Sequence, residues 1–131
     1  MWEELQGQAE LLNREHQRFA EFFDYAPDPY LVTDVGGNIR EVNRAAMELL
    51  RAARADIVGR PLSEFLCGED RVRFLTRVVG MLAGGAHASQ TWEARVQAAE
   101  GPGVRAEFTV RGIPLRKSAI GGLCWLIRPV D

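Results

Sequence analysis

"YLVTDVGGNIREVN", residues 30–43, decides how this chain is read. Two short apolar runs, 30–34 and 38–42, flank the pair Gly36–Gly37. The first run is rich in β-branched residues, which suit extended backbone, and Gly36 or Gly37 supplies the positive φ of a tight turn. The stretch is a hairpin. From Arg44 the period changes, because Ala46, Leu49, Leu50 and Ala53 recur at helical spacing. Asn43 therefore falls at the N-cap, where its side-chain oxygen accepts an orphan backbone N–H. Val42 and Met47 stand at the positions of a hydrophobic staple across that helix start. The hairpin hands the chain straight into a helix, and Asn43 is read as the structural pin of that crossing.

Upstream, residues 2–26 read as one amphipathic helix. Trp2, Ala9, His16 and Phe23 share one position of a seven-residue repeat, and Leu5, Leu12 and Phe19 share another. That is an a/d pattern over about three heptads, the shortest length at which a coiled coil is credible. The same stripe also suits docking on the chain's own domain. "APDP" at 26–29 ends the helix, since each proline disfavours helical backbone in the residue before it.

Downstream, "DIVGRPLSEFL" (56–66) carries a glycine stop, a proline restart and one short helix. Residues 69–85 form the clearest internal helix, with Asp70 expected as its cap and Val72, Leu75, Val79 and Leu82 as its apolar face. Two strictly alternating strands follow: "TWEARVQA" (91–98), with Trp92, Ala94, Val96 and Ala98 on one face, and "VRAEFTVRG" (104–112), with Val104, Ala106, Phe108 and Val110 on one face. "AEGPGV" between them is turn chemistry. "GGLCWLIRP" is apolar on both faces, so it belongs in mid-sheet with its back covered. The leading helix is the spare element able to cover it.

The 131 residues are close to one domain and carry a net charge of −2 with acids and bases interspersed. Nothing in that balance suggests a nucleic-acid footprint. The two cysteines, Cys67 and Cys124, are far apart and form no CxxC, as ordinary cytoplasmic thiols would be. No apolar run approaches the ~20 residues of a bilayer span, and the polar, acidic start is no signal peptide. The expectation is a soluble cytoplasmic domain without membrane contact. No catalytic constellation is present: His16 and His87 have no acidic or cysteine partner at metal spacing, and "GGAH" and "GGLCW" lack the context of a phosphate loop. The chain is read as a non-enzyme with no metal site.

Helix, two strands, a helical cluster and three antiparallel strands make an α+β order, with helices on one face of a five-stranded sheet. In that order and spacing the sequence resembles the PAS family of sensory domains. The marks are "FFDYAPDPYLVTDVGGNIREVNRAAMELL", "IVGRPLSEF", the "GED" step into the long helix and the three closing strands, from about Phe22 to Asp131. Gly36–Gly37 stands where the family often has Asp-Gly. The resemblance implies a PAS domain over 27–131 behind an amphipathic helix over 1–26 on the other face of the sheet. It further implies a sensory role in a signalling protein such as a two-component sensor histidine kinase. There a small ligand or partner would shift the helix against the sheet and bias an output domain of the same polypeptide. The alternative is a ligand-free dimerisation or protein-interaction module. A homodimer through Leu5, Leu12, Phe19 and Phe23 fits either.

The family's cofactor chemistries are tested against particular residues. The Asn-Cys-Arg motif of flavin photoreceptors is missing from "IVGRPLSEFL", and residues 69–85 hold no histidine for haem. Cys67 sits near the chromophore cysteine of photoactive yellow protein. However, Val42 and Ala46 occupy the positions of the acid and tyrosine that would hold a phenolate, and a buried anion without donors is disfavoured. Haem, covalent flavin and a cysteine-linked chromophore are thus disfavoured, while non-covalent FAD or a small organic ligand stays open. The pocket candidates are Leu50, Phe65, Leu75, Val79, Trp92, Phe108 and Val110, a lining that equally describes a filled core.

Overall fold

The last strand, β5 (Ala119–Pro129), runs through the middle of a 5-stranded antiparallel sheet. A computed structural model of the chain describes residues 17–18, 20–84, 89–97, 102–116 and 119–130. The sheet order is β2-β1-β5-β4-β3, with β1 at Tyr30–Thr33, β2 at Ile39–Val42, β3 at Ser89–Val96 and β4 at Val104–Arg116. Both expected hairpins form: Val32 faces Glu41 in the first, and Trp92 faces Phe108 in the second, although Val104, expected on the inner face of β4, is 38% exposed at the strand's start. β5 pairs with β1 on one side and β4 on the other, which joins residues 30–42 and 89–129 into one sheet.

Its double-sided apolarity explains that position. Leu123, Trp125 and Ile127 are fully buried on the inner face, and Cys124 and Leu126 are half-buried on the outer one. Of the helix expected over that outer face, Leu5, Leu12 and Phe19 lie outside the described residues, as do His16 and His87. Residues 20–25 are helical, and the helix ends at Tyr25 before the prolines. No helix among the described residues is long and apolar enough to cross a membrane.

The first turn is closed by Asp34 and Gly37. Gly37 takes φ +87°, and the Asp34 carboxylate accepts from the backbone amides of Gly36 and Asn38, both at 2.9 Å. The Asn38 amide above all holds the Asp34 carboxyl below its ordinary range. Beyond the hairpin, α1 (Arg44–Leu50), α2 (Arg54–Ile57) and a 3-10 turn (Leu62–Phe65) lead into α3 (Gly68–Ala83). Gly59, at φ +91°, makes the stop expected before Pro61.

Two expectations for the long helix are corrected. Asp70 is not its cap. The cap position is Cys67, without a side-chain bond, and the Asp70 carboxylate instead accepts the Arg95 backbone N–H at 2.9 Å. The apolar face is also different. Phe74, Val78 and Met81 are buried, whereas Val72, Leu75, Val79 and Leu82 are 72%, 54%, 66% and 38% exposed. The Asp70 bond to β3 is consistent with that rotation, since positions four, eight and eleven beyond it lie on the side of the helix turned toward the sheet.

Gly122 of β5 packs so tightly against β1 that a Cβ there would stand 2.9 Å from the Thr33 carbonyl oxygen. Backbone cannot yield as a flexible side chain does. Gly122→Ala is therefore expected to cost about 1–3 kcal/mol by forcing β1 and β5 apart, as overpacking does. A chemical denaturation curve checks it, and a loss under about 0.5 kcal/mol would mean the strands part freely.

Candidate functional site

Between α3 and the sheet, four aromatic side chains meet. α3 brings Phe74, β3 brings Trp92, β4 brings Phe108 and β5 brings Trp125, the last three by strand alternation on one face. Phe74 stacks on Trp125 with ring centroids 5.1 Å apart, and Trp92 stacks on Phe108 at 6.3 Å. Edge contacts at 6.1 Å (Phe74–Trp92) and 5.8 Å (Trp92–Trp125) close the cluster. The Arg77 guanidinium lies over Trp92, 5.9 Å from the ring centroid.

Of the seven pocket candidates, Leu50, Phe65, Trp92, Phe108 and Val110 belong to this one buried core. Leu75 and Val79 do not. They face solvent, and Phe74, Val78 and Met81 take the inward positions assigned to them. Trp125 was legible as buried, but not as the partner of Phe74. Gln90 was missed, although extending the Trp92 alternation two residues back puts it on the same face.

The polar atoms of this interior divide sharply. Trp125 Nε1 donates to Thr33 Oγ1 at 3.0 Å, and that hydroxyl donates to the Asp34 carbonyl at 2.9 Å. By contrast, Trp92 Nε1 and Gln90 Oε1 are buried with no hydrogen-bond partner among the described residues. A buried polar atom left unpaired in this way costs about 1–3 kcal/mol.

Asn43, fully buried, ties α1 and β1 to the leading helix. Its Oδ1 accepts from Ala46 N and Tyr30 N, both at 3.0 Å, so it caps α1 and holds the start of β1. Its Nδ2 donates to the carbonyls of Phe23 at 2.9 Å and Asp28 at 3.0 Å. One side chain thus uses all its hydrogen-bonding capacity on backbone from three elements. Around it, Asp24 takes Arg44 at 3.1 Å and Arg54 at 2.9 Å. Those exposed pairs add little to stability but orient the last turn of the leading helix.

The cysteines sit away from the rings. Cys67 is half-buried at the start of α3, where a Cβ on Gly103 would stand 3.0 Å from its sulfur. Cys124 lies on the outer sheet face, and burial pushes its thiol up, which keeps it protonated at neutral pH. Among the described residues no group of three or more His, Cys, Asp and Glu gathers as a metal site would.

A family profile described as PAS fold matches residues 17–130. No curated protein matches the chain. Among solved structures, the PAS domain of an HTR-like protein from Haloarcula marismortui is similar at TM-score 0.81 and 20% identity, covering 95% of this chain and 99% of that one. A domain of a sensory box sensor histidine kinase/response regulator from Geobacter sulfurreducens is similar at TM-score 0.72 and 17% identity, covering 89% and 96%. The PAS domain of a LuxR-family transcriptional regulator from Burkholderia thailandensis, in complex with ethanol, is similar at TM-score 0.69 and 23% identity, covering 86% and 96%.

Proposed function

The chain belongs to the PAS family, and on that premise we propose that it is the sensory input domain of a signalling protein, in which a small ligand beneath α3 is reported to the leading helix. The observation that carries this reading is Asn43. Its four bonds link the end of the leading helix to β1 and to α1. A repacking of the ring cluster moves β1 through Trp125 and Thr33, and Asn43 carries that displacement to Phe23. Two docked states of the leading helix then bias an output domain of the same polypeptide, a histidine kinase in the leading reading.

The close spacing of the four rings supports a small ligand over a flavin, because an isoalloxazine would have to displace at least one of them. The ethanol held by the Burkholderia domain is a precedent of the right size. The domain itself carries out no chemistry on this reading, and residues 1–26 serve as connector and 27–131 as sensor. Self-association through the leading helix is part of the proposal. Replacing Leu12 and Phe19 with serine is expected to shift the mass found by equilibrium ultracentrifugation from dimer toward monomer, and an unchanged mass would remove the helix from the interface.

A thermal-shift screen followed by hydrogen exchange tests the whole. A binder at about 100 times its Kd adds about 2.7 kcal/mol of stability, and it is expected to change exchange at amides 20–30 as well as in α3. The same filled ring cluster supports a second reading, a ligand-free dimerisation or interaction module. A screen without binders, or a binder that leaves amides 20–30 unchanged, would favour that reading.

A further inference from the structure

The two unpaired polar atoms lie on the same face of one strand. Gln90 and Trp92 are next-but-one on β3, with Val110 and Phe108 as their cross-strand neighbours. Neither neighbour has a side-chain polar atom to offer. Above them α3 presents Phe74, Val78 and Met81, and Gly80 leaves the space against which the Gln90 amide rests, since a Cβ there would meet Nε2 at 3.4 Å. Trp92, 8% exposed, offers an N–H donor, and Gln90 offers a carbonyl acceptor. They do not bond to each other.

We infer that Trp92 and Gln90 form the polar end of the ligand site, and that its occupant is a small neutral molecule bearing a hydroxyl or a primary carboxamide. The inference rests on the sensory reading above. Its chemistry follows from the pair: the occupant must accept from Trp92 and donate to Gln90 through one compact group. A hydroxyl does both, and so does a primary amide. A carboxylate has nothing to donate, and an ether or ketone only accepts. An ammonium only donates, and it would also meet the Arg77 guanidinium over the Trp92 ring. The apolar remainder of the occupant faces Phe108 and Phe74, where the ring packing limits it to a short carbon skeleton.

The isomers ethanol and dimethyl ether, with acetate as the charged control, provide the test. In the 15N-labelled protein the Trp92 indole resonance is assigned by its loss in Trp92→Phe and followed through each titration. The expected result is a saturable shift with ethanol, with binding at least about tenfold weaker for the ether, which lacks the donor, and likewise for acetate. Gln90→Leu is expected to weaken ethanol to the level of the ether. The comparison in the parent protein stands even if that variant fails to fold. Equal affinities for ethanol and ether would overturn the inference. An indole unmoved by every probe would do the same, since a bridging water only would then satisfy the pair. A screened ligand that shifts Trp125 and amides 20–30 but leaves Trp92 unmoved would sink the polar end and leave the sensory reading intact.

Discussion

Asn43→Ala is expected to melt about 15 °C below the parent domain. The substitution strips partners from two amides and two carbonyls in a fully buried spot. At about 1 kcal/mol for each group left unpaired, the loss is roughly 4 kcal/mol. For a domain of this length each kcal/mol lowers the midpoint by about 4 °C. Calorimetry checks the figure, and a loss under about 1 kcal/mol would mean that water replaces the amide at no cost. Asn43→Asp separates the two halves of the role. Its carboxylate keeps the cap on Ala46 but turns an oxygen toward the carbonyls of Phe23 and Asp28. Ionised, it repels both; protonated, it donates to one. The folded-state pKa of the introduced acid is therefore raised above the ordinary aspartate value of about 3.9. The stabilising contribution of its protonated form is fully present below that value and is lost as pH rises through the raised one. Asn43→Asp is thus expected to trail the parent by less at pH ~4 than at pH ~7, and a pH-independent gap would put the effect down to shape rather than charge.

How much of this was legible depended on whether the deciding contact was local. The hairpin, the Gly37 turn and the Asn43 cap are settled within a few residues of one another, and the sequence pattern located all three. The central place of β5 was legible too, because apolarity on both faces leaves a strand few other positions. The inward face of α3 was not. That helix has two apolar stripes, Val72–Leu75–Val79–Leu82 and Phe74–Val78–Met81, and helical periodicity ranks neither above the other. What chooses between them is tertiary: the larger Phe74 and Met81 fill the space against the sheet, and the bond from Asp70 to the Arg95 backbone across 25 residues holds the helix in that rotation. In sequence Asp70 looks like a cap, and only the approach of β3 reveals it as a clamp. The two site candidates that miss the interior, Leu75 and Val79, follow from that one ambiguity. Gln90 escaped for a smaller reason: the alternation was read from Thr91, while the strand begins at Ser89.

The choice of stripe sets up the second large effect. Phe74→Ala is expected to cost about 3–5 kcal/mol, the range for emptying a buried phenylalanine site. Phe74 touches Trp92, Phe108 and Trp125 at once, and those rings are held by three different strands, so the space has little means of collapsing. Val79→Ala, one turn further on and 66% exposed, is expected to change stability by no more than about 0.5 kcal/mol. Paired urea denaturation curves check the contrast; equal losses would mean that α3 sits on the sheet by its other face, and the site described here would be lost with it. The vacated ring position gives a sharper check still. A dry cavity lined by aromatic side chains binds a benzene-sized guest. Saturating toluene is accordingly expected to raise the midpoint of Phe74→Ala while leaving the parent unmoved, because in the parent the Phe74 ring itself occupies that position. If toluene stabilised the parent equally, the interior would already hold room for an aromatic guest. The occupant of this sensor would then be larger than the short hydroxylic molecule inferred from Trp92 and Gln90.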